Sequence, residues 1–210
     1  MVRTLTRYVC AFACAAMPAL GGGLLTVKVM DYVGARAPML RKAAAHAQRV
    51  FRAAGLETAW VVCPKLDEAD AENAACYQNP ADLYVQVVAA RPNALVPLWD
   101  NLQFGAALFG ENGVATKYSY VLYDRVENEA QNAPCSAISL LGLVIAHEIG
   151  HLLLGRGHSF EGVMMAHWNH GTEVKIARGM LVFSPEEAKR LQASAHTLVA
   201  SRATSPSTSY

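Results

Sequence analysis

A run of ten residues without a charge, AISLLGLVIA (137–146), leads directly into HEIGHLLLGRGH, from His147 to His158. The run is apolar on every face, so a helix built from it crosses a core. Two histidines and a glutamate at the end of such a helix carry a heavy desolvation cost unless they find partners. One solution is a set of backbone carbonyls that satisfies the rings. The other is a metal ion. Spaced four residues apart, His147 and His151 project from one helix face, one turn above the other. At that pitch two imidazoles grip a single tetrahedral zinc. Glu148 follows the first ligand directly, within reach of a water at the metal. Gly155 and Gly157 offer the positive-φ conformations that would end the helix and turn the chain back. His158 is then the expected third ligand, giving one catalytic Zn2+.

Other groups downstream compete for that third place. Glu161, Glu173, His167 and His170 all follow the motif. A glutamate from a second helix some twenty residues on would make Glu173 the ligand, as in gluzincins, although HGTEVKIARG has little helical character at its start. His167 and His170 flank Trp168 and read as surface or cleft-lining residues. His158 alone has turn chemistry beside it.

The segment HEIGHLLLGRGHSFEGVMM resembles the metzincin clan of zinc metallopeptidases, whose signature is HExxHxxGxxH followed by a methionine in a tight turn. His147, Glu148 and His151 match it directly. The pair His158-Ser159 looks like the matrixin form of the third-ligand position. Met164 matches the Met-turn, with Met165 as the fallback. The span from second to third histidine is one residue longer than the clan pattern, so Leu154 stands at the glycine position and Gly155 follows. The resemblance implies a zincin-like α+β fold. Its parts are a twisted, mixed five-stranded sheet with a backing helix, an active-site helix and a C-terminal helix. It also implies an apolar floor of Met164 under the histidines, and a pocket for the side chain after the cut, shaped by a residue between Met164 and Phe183. Trp168 is the candidate there, with core packing as its alternative role.

The order of elements agrees with this layout. Leu24–Met30 alternates like a strand, and Pro38–Ala54 is a long amphipathic helix closed by Gly55. Thr58–Val62 reads as a second strand, parallel to the first because a crossover helix separates them. Asp82–Ala89 and Lys117–Tyr123 read as further strands. Gln103–Phe109 is either an irregular loop or a short edge strand. By resemblance it would be the antiparallel strand bordering the cleft, where an extended peptide could add main-chain hydrogen bonds. The metal helix should begin near Ser136 or Ile138. The last helix starts at Ser184, with Pro185 in first position and Glu187 closing a capping box, and runs to about Ala200.

The 210 residues suit one domain, and 53% hydrophobic content supplies a sizeable core. A net charge of +1 with 17% charged residues offers no basic stripe, so nucleic acid is not an expected partner. Arg3 and Arg7 precede an apolar stretch, Tyr8–Leu20, of signal-peptide length, ending in the small-x-small site Ala19-Leu20-Gly21. Residues 1–21 are thus expected to be a signal peptide, with an uncleaved membrane anchor as the alternative, 22–200 the catalytic domain and 201–210 a polar, disordered tail. Cys10 and Cys14 would leave with the leader. The mature protein would be secreted or periplasmic, without stable membrane association, and a monomer. In an oxidising compartment Cys63 and Cys76 could pair. Cys135 is left as a small buried residue.

These readings imply a zinc-dependent metalloendopeptidase that hydrolyses peptide bonds with a zinc-activated water, Glu148 serving as general base. The alternatives are a gluzincin-type peptidase and an inactive, zinc-stabilised binding protein of the same fold. The last would use His167 or His170 as a fourth ligand, and would have no need of Glu148.

Overall fold

The structure, a computed structural model, describes residues 24–65, 76, 80–89 and 104–204. The expected signal peptide, Cys10, Cys14, Gln103 and the last six residues of the tail lie outside these.

Five strands form one mixed sheet. They are β1 (Leu25–Asp31), β2 (Thr58–Cys63), β3 (Leu83–Val88), β4 (Gly105–Phe109) and β5 (Ala115–Leu122), in the order β2-β1-β3-β5-β4. The first three pairings are parallel, and β4 alone runs antiparallel, along β5 at the edge. Parallel neighbours need crossovers, and α1 (Ala37–Ala53) supplies the one between β1 and β2. Leu40, Ala43, Ala47, Val50 and Phe51 recur at helical spacing and are all buried. They pack with Val27, Val29, Val85 and Val87 from the strands in one continuous core.

The apolar run folds as the centre of this core. Helix α3 (Ala137–Leu154) is capped by Ser136, whose hydroxyl accepts the Ser139 N–H at 3.1 Å. From Leu140 to Leu153 every residue but His147 is buried. The helix is long and apolar enough to cross a membrane by composition, yet here it is mostly buried, packed against α1 and β5. The last helix, α5 (Pro185–Thr204), opens with the expected capping box. Ser184 N–H donates to Glu187 Oε2 at 2.8 Å, and Glu187 N–H donates to the Ser184 hydroxyl at 3.2 Å. It continues to Thr204, so the first four residues of the expected tail are helical.

Two short helices were not legible from periodicity. α2 (Tyr123–Ala130) follows β5 without a loop, so Tyr123 begins a helix and does not end a strand. Its only buried residue is Val126, too little to mark a face. α4 (His170–Ala177) contradicts the reading of HGTEVKIARG as non-helical at its start. Asn169 caps it: its side-chain oxygen accepts from the Thr172 N–H at 3.0 Å and from the Thr172 hydroxyl at 3.1 Å. An asparagine cap overrides the weak propensity of Gly171.

Cys63 and Cys76 are joined by a disulfide, thirteen residues apart. Closing a loop of that size stabilises by roughly 3 kcal/mol in the chain-entropy account. The bridge also has a polar anchor. Lys28, 2% exposed in the middle of β1, donates its ammonium to the Cys76 carbonyl at 2.8 Å. Cys135 is buried and unpaired, and burial pushes its thiol up, with the charge of Glu173 adding to the effect.

Candidate metal centre

His147 and His151 emerge near the C-terminal end of α3, and His158 returns to them from the loop beyond it. The three rings meet: one ligand-type atom from each lies within 4.8 Å of the other two. The return depends on Gly155, which holds φ at +98° where α3 stops, a conformation that side chains with a Cβ resist. Gly157 was expected to contribute a positive φ as well. It does not; the next residue with positive φ is Gly162, at +78°. Two positive-φ glycines, Gly155 and Gly162, thus stand in the loop that runs from α3 to Met165.

Each helix histidine is held from behind by a backbone carbonyl. His147 Nδ1 donates to the Val163 carbonyl at 2.8 Å, and His151 Nδ1 donates to the Gly155 carbonyl at 2.9 Å. Carbonyl oxygens only accept, so both protons must sit on Nδ1 and both Nε2 atoms carry lone pairs. Those two Nε2 atoms face each other at 3.0 Å, and His158 Nε2 lies 3.2 Å from that of His151. Two lone pairs at that distance repel unless a cation lies between them. For Zn–N bonds of about 2.0–2.1 Å, a tetrahedral angle separates ligand nitrogens by about 3.3 Å. The observed spacings are close to that value. The carbonyl partners envisaged for a metal-free helix are therefore present, but they satisfy only one side of each ring and orient the other side toward a common point.

Burial favours the neutral form of all three rings. Burial drives His147 down to about 3, and the neighbouring His151 adds to the effect against the pull of the Val163 carbonyl. His151 and His158 are lowered by burial as well, the latter also by the charge of His167. Neutral imidazole is the metal-binding form.

Glu148 is 5% exposed. Burial pushes its carboxyl up to about 8, opposed by a hydrogen bond from the Ala107 N–H of β4. Its carboxylate lies against Gly105, so close that a Cβ there would stand 2.8 Å from Oε1. The edge strand thus carries the glutamate on its flank, and β4 is a strand with the antiparallel sense the resemblance implied.

Met164 is buried beneath α3 and touches Gly150, where a Cβ would fall 2.4 Å from its sulfur. The glycine inside HEIGH is thus required by a close approach. Met165, the fallback, instead lines the cleft. The Ser159 N–H donates to the Met164 carbonyl at 2.8 Å, which closes the loop between His158 and the methionine. Trp168 meets His147 edge-on at 5.8 Å and stacks on Phe104 at 6.5 Å. It lines the cleft, though its indole N–H is buried without an acceptor among the described residues. His167 lines the cleft too. His170 is exposed, and neither Glu161 nor Glu173 joins the histidine cluster. No fourth protein ligand completes the cluster among the described residues.

Glu187 has a second role that its place in the capping box concealed. While Oε2 caps α5, Oε1 accepts a hydrogen bond from the hydroxyl of Ser159, next to His158. It is 4% exposed, so the contact is shielded from water. It ties the loop carrying the third histidine to the C-terminal helix. Replacing Glu187 by alanine is expected to weaken zinc affinity about 10-fold, within the usual range for groups that orient ligands. Competition titration against a chelator would measure it, and unchanged affinity in a folded variant would remove Glu187 from the centre.

No protein-family model and no curated protein matches the chain. Among solved structures it is similar to the archaemetzincin of Methanopyrus kandleri, with 13% identity and a TM-score of 0.48 over 81% of this chain and 95% of that one. It is also similar to a zinc-dependent peptidase from Methanocorpusculum labreanum, with 16% identity and a TM-score of 0.48 over 79% of this chain and 99% of that one.

Proposed function

We propose that the chain is a zinc-dependent metalloendopeptidase of metzincin type, with His147, His151 and His158 as ligands and Glu148 as general base. The observation that carries this reading is the pair of Nε2 lone pairs facing each other at 3.0 Å, with both Nδ1 protons committed to carbonyls. Such an arrangement is stable around a cation. A bound zinc supplies Lewis acidity, which draws charge from a water molecule and from the substrate carbonyl oxygen.

The protein's own groups do the rest. The Val163 and Gly155 carbonyls fix the tautomers and the ring planes. Glu148, buried beside the histidines and hydrogen-bonded to the Ala107 N–H, would as a carboxylate take the proton of the attacking water and deliver it to the leaving amine. Strand β4 offers a sheet edge along which a peptide can lie extended beside the histidines. Met164 supports α3 from below and takes no part in the chemistry.

The Cys63–Cys76 bond suits an oxidising compartment, which supports export to a secreted or periplasmic location. The test of function is cleavage of a diverse peptide library by the purified protein. Cleavage that is lost on chelation and restored by stoichiometric zinc is expected. A folded, zinc-replete protein that cleaves nothing would sink the reading.

A further inference from the structure

A cavity of about 590 Å³ opens between β4 and α3, with the three histidines on one wall. It extends past His147 toward the start of α3, where Val144 and Leu140 line it. At 1.5 Å per residue, Leu140 lies about 10 Å along the helix from His147. Trp168, braced by Phe104, forms a second apolar wall. Two carboxylates also line this cavity: Glu129 from the last turn of α2 and Glu173 from the first turn of α4. Glu129 precedes α3 in the chain, and both short helices pack against that helix.

Neither carboxylate is paired with a lysine or arginine among the described residues. Glu173 meets His170 at 3.8 Å, and that side chain is 81% exposed while that of Glu173 is 13% exposed. The first-turn position on α4 favours a negative charge by itself. It accounts for Glu173, and not for a second acid on the same cavity. At the other end of the cleft the charge reverses: Arg156 lies over the Phe109 ring at 4.6 Å, where β4 ends.

We infer that the cavity takes a lysine or arginine side chain of the substrate, and that Glu129 and Glu173 make the enzyme selective for a basic residue beside the cut. The inference rests on the peptidase reading. The methylene stem packs on Leu140, Val144 and Trp168, and the cationic head pairs with the two carboxylates. A neutral side chain of equal length fills the apolar part but leaves both acids unpaired, and an acidic one is repelled. Arg156 repels a basic residue from the opposite end, so the polarity of the cleft orients the peptide. The selected residue flanks the scissile bond, because the cavity opens beside the histidines.

The experiment uses peptides identical except for lysine, arginine, norleucine or glutamate at that position. Wild-type kcat/KM is measured for each, and Kd is measured on zinc-loaded Glu148→Gln protein, which needs no turnover. Lysine and arginine are expected to exceed norleucine by roughly 10- to 100-fold in both, as for hydrogen bonds to charged groups, with glutamate last. The double variant Glu129→Gln/Glu173→Gln should bring the lysine-to-norleucine ratio to about 1, the loss of a charged pair worth that fold-change. Equal or better use of norleucine by wild type, or an unchanged ratio in the double variant, overturns the inference while leaving the peptidase intact. Selective binding of the basic peptides without any cleavage by wild type upholds the cavity and sinks the peptidase. Neither binding nor cleavage overturns both.

Discussion

Glutamine at position 148 is expected to lower turnover by about 10²- to 10⁴-fold, the usual contribution of a positioned general base. It should leave bound zinc at one ion per chain. The substitution isolates the proton-transfer role because it changes little else. Glu148 lies within the buried face of α3, with Gly105 of β4 against its carboxylate. Glutamine has the same shape, and its carbonyl oxygen can still accept from the Ala107 N–H. The helix histidines take their orientation from the Val163 and Gly155 carbonyls, and His158 meets His151, without the carboxylate. A fall in kcat with unchanged zinc content therefore points to lost chemistry. Turnover close to that of wild type, in protein shown to carry its metal, would end the general-base assignment.

Alanine at position 151 should abolish stoichiometric zinc binding. His151 is the shared member of the cluster, with its Nε2 3.0 Å from that of His147 and 3.2 Å from that of His158. Apparent zinc binding energies of about 10–16 kcal/mol for four-ligand sites imply roughly 3 kcal/mol or more per ligand, a loss above about 100-fold in affinity. The ring is also 7% exposed in a packed helix and donates to the Gly155 carbonyl, so its removal leaves a small void and an unpaired carbonyl. Stability without metal should fall as well. The two effects separate by measurement: metal affinity by competition titration, and metal-free stability by denaturant unfolding. Retained affinity at the wild-type level would mean that the ion, if one binds, sits elsewhere. His158→Ala, at an exposed position, should reproduce the loss of affinity with less loss of metal-free stability.

Much of the site was written in short-range spacing. His147, Glu148 and His151 were legible because a helical pitch alone places them, and the apolar run before them guarantees the helix. The capping box at Ser184 and Glu187 was legible for the same reason: both bonds close within one turn. The disulfide partners followed from there being two cysteines around one polar loop. What escaped had no local signature. α2 buries one residue, so its periodicity is too weak to register. α4 depends on an asparagine cap that precedes a glycine and two polar residues. Gly157 was indistinguishable in sequence from Gly155, because a conformation is chosen by the packing of the whole loop.

The sequence by itself determined where a metal could be gripped and which carboxylate stands beside it, because those relations are internal to one helix and one turn. It also determined the alternation of strands and helices, since that follows from which faces must be buried. Only the tertiary structure decided that His158 meets the helix pair while Glu173 lines a cavity instead, that Met164 rather than Met165 lies under Gly150, and that Glu187 reaches across to Ser159. It alone brought Glu129 and Glu173, forty-four residues apart in the chain, onto one cavity. Such pairings are set by how α2, α4 and α5 pack around α3. Packing sums many weak contacts between residues distant in the chain, and no local pattern encodes that sum.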